Sequence, residues 1–248
     1  MNLIAEAFAW LLQPERWSGP TGIPVALAQH LGFTFLSVLI AAAIAVPAGW
    51  AIGHTGRGRE IAVAISGAAR AIPSFGLLVL LVLIMGVLQT QAAAVITFVL
   101  LGIPSILAGA YSGFEAIDRR VIDAGRAMGM TPWQVLWRIE VPLGLPLLVS
   151  GLRAATLQIV ATVTIAAYVG LGGLGQYIIQ GINLNRFDQV LAGAILVAAL
   201  ALLLDGVFAI AERLVVPRGV HAGRAPAGGG ARRSRVRRAA ASPQTAEA

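Results

Sequence analysis

Residues 170–175 read Gly170-Leu-Gly172-Gly173-Leu-Gly175, a literal match to the phosphate-binding pattern G-x-G-x-x-G. Glycines at that spacing cradle a pyrophosphate only where a strand leads in and a helix leads out. Here a long apolar run leads in, so the stretch reads as flexible backbone and not as a nucleotide site. The other phosphate loop, G-x-x-x-x-G-K-[ST], needs a lysine. All 18 basic residues of this chain are arginine, so the chain has no means of hydrolysing ATP by itself. His30, His54 and His221 show no metal-ligand spacing, and there is no cysteine. No metal, cofactor or catalytic group is expected, and no nucleophile and base suggest an enzyme buried in a membrane. Three ionisable residues do sit inside apolar runs: Arg70, Arg153 and Asp205. Such charges cost about 2.5–3.5 kcal/mol each on insertion scales and mark function by default. Asp205 is expected to pair with Arg153 or Arg70; snorkelling toward the interface is the alternative.

The elements that carry these residues must be membrane helices. The chain of 248 residues is 58% hydrophobic and 12% charged, with mean hydropathy +0.82; soluble domains carry about 25% charged residues. Crossing the hydrocarbon core takes about 20 apolar residues as helix, because lipid offers backbone groups no other partner. Apolar runs cover residues 31–52, 61–88, 92–112, 143–169 and 190–210. A kink is expected at Ile72-Pro73-Ser74, and a polar turn at Gln89-Thr90-Gln91. The fold class is therefore an all-α integral membrane protein with five transmembrane helices. Residues 1–27 read as an interfacial helix with Ile4, Phe8, Leu11 and Leu12 on one face, followed by a loop. Residues 28–217 form the membrane domain, and residues 218–248 a disordered basic tail that can touch anionic lipid.

The net charge of +7 does not signal nucleic acid. The tail carries +6 of it, and the preceding 217 residues only +1. Arginine concentrates in alternate loops: Arg57 and Arg59 after the first run, four arginines in residues 115–140, and the tail. Positive loops stay inside. The N-terminus is thus expected outside, with residues 115–140 and the C-terminus in the cytoplasm.

Residues 115–140 interrupt the apolar pattern with a distinct sequence. Asp123-Ala-Gly-Arg-Ala-Met-Gly129-Met-Thr-Pro-Trp-Gln-Val-Leu-Trp-Arg-Ile139-Glu-Val-Pro142 predicts two short helices around a glycine turn. Ile117, Val121 and Ala124 share a face of the first. Gly129 suits a left-handed C-terminal position. Thr131 is a good N-cap, with Pro132 in the first turn. Trp133, Leu136 and Trp137 stripe the second helix, and Pro142 should end it. Such a pair can dock in a partner's groove or pack on its own chain.

This segment resembles the EAA motif of binding-protein-dependent ABC importer permeases: Glu-Ala-Ala, three residues, Gly, nine residues, Ile, one residue, Leu-Pro. Asp123, Ala124 and Gly125 take the first three places; Gly129, Ile139 and Val141-Pro142 follow at the same spacing. The departures are Asp for Glu, Gly for Ala and Val for Leu. Further likenesses are Arg70-Ala-Ile-Pro-Ser-Phe75, Gly129-Met-Thr-Pro-Trp-Gln-Val135 and Val169-Gly-Leu-Gly-Gly-Leu-Gly175. They resemble the osmoprotectant branch, which imports glycine betaine, choline, carnitine or proline; the methionine branch is a near neighbour. The resemblance covers about residues 30–217.

The resemblance implies a transport subunit, with ATP hydrolysis by a separate cytoplasmic ATPase. Its other partners would be an extracytoplasmic substrate-binding protein and a second permease, in a bacterial inner membrane. It makes Asp123, Ala124, Gly125, Gly129, Ile139 and Pro142 the joint with the ATPase. It puts Gly170, Gly172, Gly173, Gly175 and Pro73 near a gate on the translocation path. Aromatic candidates for holding a quaternary ammonium are Phe75, Tyr111, Tyr168 and Tyr177. A methionine or amino-acid importer is an alternative substrate class. An autonomous secondary carrier is the rival mechanism; carriers show inverted repeats and midplane charges, and no repeat is evident here.

Overall fold

The computed structural model describes residues 2–215, and all regular structure among them is helical. The helices are α1 (Leu3–Leu11), α2 (Ile23–Thr55), α3 (Arg59–Ala71), α4 (Ser74–Met85), α5 (Thr90–Glu115), α6 (Arg119–Ala127), α7 (Pro132–Val135), α8 (Val141–Ala166), α9 (Gly175–Asn183) and α10 (Phe187–Val215). The expected basic tail and His221 lie outside the described residues.

Four helical runs are long and apolar enough to cross a membrane: Ile23–Thr55, Val87–Glu115, Pro132–Val169 and Phe187–Val215. The fifth expected span is not one helix. α3 and α4 meet at 83° across Ile72-Pro73, far sharper than a proline kink. Ile72 adopts extended backbone (ψ 126°), as a residue preceding proline does, and Pro73 then caps α4. The expected turn at residues 89–91 is also displaced. Gly86, at φ +87°, makes it, and Thr90 already opens α5.

The N-terminal boundary differs as well. Residues 23–27 belong to α2, because Pro24 stands in its first turn, where the missing N–H costs nothing. α1 is part of the same compact unit as the long helices. Ala7 and Trp10 are buried, and the Trp10 ring meets Tyr177 edge-on at 5.3 Å. The face predicted from Ile4, Phe8 and Leu12 points away from the protein. α9 was hidden from the sequence pattern: it is nine residues long, too short for a span.

Glycines set how the core helices meet. A Cβ on Gly49 would collide with that of Ala110, and one on Gly53 would stand 2.9 Å from the Cβ of Phe114. α2 therefore lies directly against α5. On its other side α5 crosses α8 at two glycine contacts. A Cβ on Gly109 would reach the Leu147 carbonyl at 2.6 Å, and one on Gly113 the Gly144 carbonyl at 2.6 Å. Gly49-Trp-Ala-Ile-Gly53 and Gly109-Ala-Tyr-Ser-Gly113 are both G-x-x-x-G, the spacing that brings membrane helices into backbone contact.

α8 and α10 are joined by charge. Arg153 Nε and Nη2 donate to Asp205 Oδ1 and Oδ2 at 2.6 and 2.7 Å, and Glu212 Oε2 lies 3.5 Å from Nη1. A planar fork met by a carboxylate is the strongest form of such a pair. Arg70 is exposed on α3 and makes no ion pair among the described residues.

Three outcomes follow for stability, all read as thermal midpoints in detergent. Gly113→Leu should lower the midpoint, since overpacking costs about 1–3 kcal/mol. Gly67→Ala, with open space around its position, should hold or raise it by up to about 1 kcal/mol. Asp205→Leu should destabilise by removing the bidentate partner of Arg153 and leaving it Glu212 alone, whereas Asp205→Leu combined with Arg153→Met should recover part of the loss.

Candidate functional site

The segment between α5 and α8 is a helical hairpin whose ends are locally specified. Asp118 Oδ1 accepts from the Arg120 N–H at 2.9 Å and caps α6. Gly129, at φ +83°, closes α6 with the Gly129 N–H on the Arg126 carbonyl and the Met130 N–H on the Gly125 carbonyl. This paired closure is the Schellman motif. Thr131 and Gln134 then form a reciprocal capping box.

The return helix does not stop at Pro142. α7 passes through a π turn, Leu136–Glu140, straight into α8, and the Val141 N–H reaches back to the Leu136 carbonyl. Proline lacks the N–H that an unbroken α-helix needs and crowds the turn behind it. A widened turn just before Pro142 absorbs that conflict.

One face of the hairpin is spent on the chain itself. A Cβ on Gly125 would stand 2.7 Å from Ile139 Cδ1 and 3.3 Å from Met130 Sδ. Gly125 and Val135 are buried. The small residue at position 125 thus makes room for Ile139 of the same chain, which is itself half-buried. Ile117 precedes α6, so the expected face of Ile117, Val121 and Ala124 does not exist as drawn. Val121 and Ala124 point outward instead, with Met128 one turn on. Met128 is 77% exposed and Trp133 67%. Asp123 is exposed and lines a cavity of about 570 Å³, shared with His54, Arg126 and Glu140.

The hairpin is fastened to the far end of α2 by contacts that sequence reading missed. His54 Nδ1–H donates to Glu140 Oε2 at 2.5 Å, and Glu140 is 3% exposed. Trp137 meets Trp50 of α2 edge-on at 5.7 Å and Trp133 at 5.6 Å. Beside these contacts Arg59, the first residue of α3, pairs with Glu115, the last of α5, at 3.0 Å. An acidic residue directly beside Ile139 was a visible signal, but its partner lies 86 positions away.

The glycine-rich stretch lies near the other end of α2. Gly170, Gly172 and Gly173 have φ of +80°, +84° and +74°. α8 leads into them and no strand does, so the context of a dinucleotide site is missing. Nor is the loop loose. Leu171 and Leu174 are buried. The Gly173 N–H donates to Gln29 Oε1 at 3.1 Å, and the Leu174 N–H to His30 Nδ1 at 3.3 Å. His30 is fully buried, and its Nε2–H donates to the Val160 carbonyl at 3.1 Å. The acceptor role of Nδ1 dictates that tautomer. Gly175 opens α9 with its Cα directly against the Thr164 carbonyl. Pro73 is exposed at the α3–α4 break. Phe75, two positions on, meets Tyr168 edge-on at 5.4 Å. Tyr111 and Tyr177 are buried elsewhere, so the four aromatic candidates do not gather into one cage.

A family model described as "Binding-protein-dependent transport system inner membrane component" matches residues 41–217. The glycine betaine/carnitine/choline transport system permease protein OpuCB of Bacillus subtilis is 30% identical over 192 residues, 77% of this chain and 88% of that protein. The carnitine transport permease protein OpuCD of Listeria monocytogenes is 36% identical over 190 residues, 76% of this chain and 84% of the relative. The fold matches an inward-facing structure of the MetNI methionine ABC transporter with TM-score 0.68 at 24% identity, over 79% of this chain and 96% of that one. With its membrane-length helices and this match, the chain belongs to the family of inner-membrane components of binding-protein-dependent transport systems, as a multi-pass permease subunit.

Proposed function

We propose that this permease imports quaternary ammonium osmoprotectants such as glycine betaine, choline or carnitine, and that the α6–α7 hairpin is its joint to a cytoplasmic ATPase. The substrate class is that of the named transport relatives. The joint rests on one observation above the others. Val121, Ala124 and Met128, at i, i+3 and i+7, make an exposed apolar stripe on α6, extended by Trp133. The hairpin that bears it is held rigid by Gly125 and Ile139 from within. Exposed apolar surface on a segment this polar marks a protein contact. Asp123 and Arg126 lie on the side of α6 away from the stripe, where they line the cavity shared with His54 and Glu140.

The rest of the assembly follows from this reading. The chain has no phosphate-loop lysine, so a separate subunit hydrolyses ATP. A second permease, identical or not, completes the passage, and an extracytoplasmic binding protein delivers the substrate. The α3–α4 pair counts as one broken span, giving five spans with α2, α5, α8 and α10. Arginine placement puts the hairpin and the C-terminus in the cytoplasm and the N-terminus outside. The glycine loop and the Pro73 break then line the passage toward its outer end. ATP binding closes the ATPase pair, the hairpin moves with its seat, and the helix bundle exchanges inward for outward opening.

The joint is tested by Ala124→Asp with Met128→Asp, both on the outward stripe. The variant should insert and melt like wild type, lose co-purification of the ATPase subunit, and lose at least tenfold in ATP-dependent glycine betaine uptake. Wild-type uptake would remove the hairpin from that role. The substrate is tested by competing labelled glycine betaine with choline, carnitine, proline and methionine; competition by methionine alone would move the chain to the other branch.

A further inference from the structure

Both candidate regions hang on the same helix. Near one end of α2, Gln29 and His30 accept hydrogen bonds from the backbone of Gly173 and Leu174. At the other, His54 holds the buried Glu140 of the hairpin's π turn, and Trp50 packs against Trp137. Residues 30 and 54 are 24 apart, which spans about 36 Å of helix. α2 is assigned as unbroken helix from Ile23 to Thr55, through Pro47. It is backed by α5 at Gly49 and Gly53.

These contacts are too specific to be packing alone. Glu140 and His30 are 3% and 0% exposed. A polar group buried that deeply is costly to unpair, so each contact keeps its partner as the elements move. At the loop end the attachment is to the backbone N–H groups of Gly173, at left-handed φ, and of Leu174, so it fixes the course of the chain, not just a side chain. At the hairpin end it grips the one turn where the helix geometry is already relaxed to π. A shift of the hairpin therefore pulls on α2 at His54, and a shift of α2 carries the loop at residues 172–174.

We propose that α2 is a strut that transmits displacement of the hairpin to the glycine loop, with Glu140 and His54 as positioning residues at one end and Gln29 and His30 at the other. This rests on the reading of the chain as an ABC importer permease. It adds a defined route between two regions which that reading leaves unconnected.

The test uses the full complex of permease, ATPase and glycine betaine-loaded binding protein in liposomes. Substrate uptake and ATP hydrolysis are measured separately. Glu140→Leu and Gln29→Leu, which each remove the acceptor, should each keep the complex assembled and lower substrate moved per ATP at least fivefold. Gln29→Glu, which still offers an acceptor to the Gly173 N–H, should keep the wild-type ratio. The decisive readout is the double variant Glu140→Leu/Gln29→Leu. Sites this far apart add if independent; on one route the double variant is no worse than the poorer single one. Multiplying losses, or wild-type ratios in both singles, would overturn the strut. His54→Leu is a second entry to the same end if Glu140→Leu fails to assemble, with the same two readings. A wild-type complex that neither assembles nor imports would instead overturn the transport reading itself.

Discussion

Three helices of this permease touch through backbone, and the rest of the molecule is arranged around that contact. Lipid tails are as apolar as leucine, so burying apolar side chains gives membrane helices little reason to associate. Close approach does, because dispersion contacts multiply as backbones near each other. Gly49 and Gly53 let α2 reach α5, and Gly109 and Gly113 let α5 reach α8 at Gly144 and Gly151. The same approach lays the Phe114 ring beside Gly53 and Gly144 and stacks it on Trp50 at 6.2 Å. Through it the end of α2 arrives beside the π turn, and His54 can meet Glu140.

The hairpin shows how a conflict in the chain is put to use. Helix continues from Pro132 to Ala166, yet Pro142 cannot donate to the turn before it. The chain answers with a π turn, which rotates Glu140 inward and leaves Trp133 and Trp137 outward. A clean stop at Pro142 would have left two separate helices and no continuous lever into α8. The Gly125–Ile139 contact then closes the hairpin on itself. The motif spacing therefore serves internal geometry at these two positions, and an outward surface at Val121, Ala124 and Met128.

Polar groups inside the bundle are few, and most are matched, Ser37 Oγ and Trp10 Nε1 being the buried exceptions among the described residues. Arg153 takes both oxygens of Asp205. His30 uses both ring nitrogens, one as acceptor and one as donor. Such matching is what a low-dielectric interior demands. It also assigns structure to stretches that look loose: the glycine loop is strained into left-handed backbone but tied at two consecutive N–H groups.

Much of this was legible before any coordinates. Hydropathy and length located the membrane helices. The missing lysine left no phosphate-loop pattern in the sequence, and the spacing from Asp123 to Pro142 pointed to the permease family. Thr131, Pro132 and Gly129 announced their turn and cap, since those roles depend on residues within four positions. The remainder depended on contacts that no local pattern encodes. Whether Gly125 faced a partner or Ile139, whether Asp205 chose Arg153 or Arg70, and whether residues 170–175 hung free or were held by α2 were each decided by helix crossings. Those crossings join residues 14 to 144 positions apart. Sequence carries the periods of helices and the chemistry of their ends, whereas which faces meet follows from the shapes that glycine lets approach.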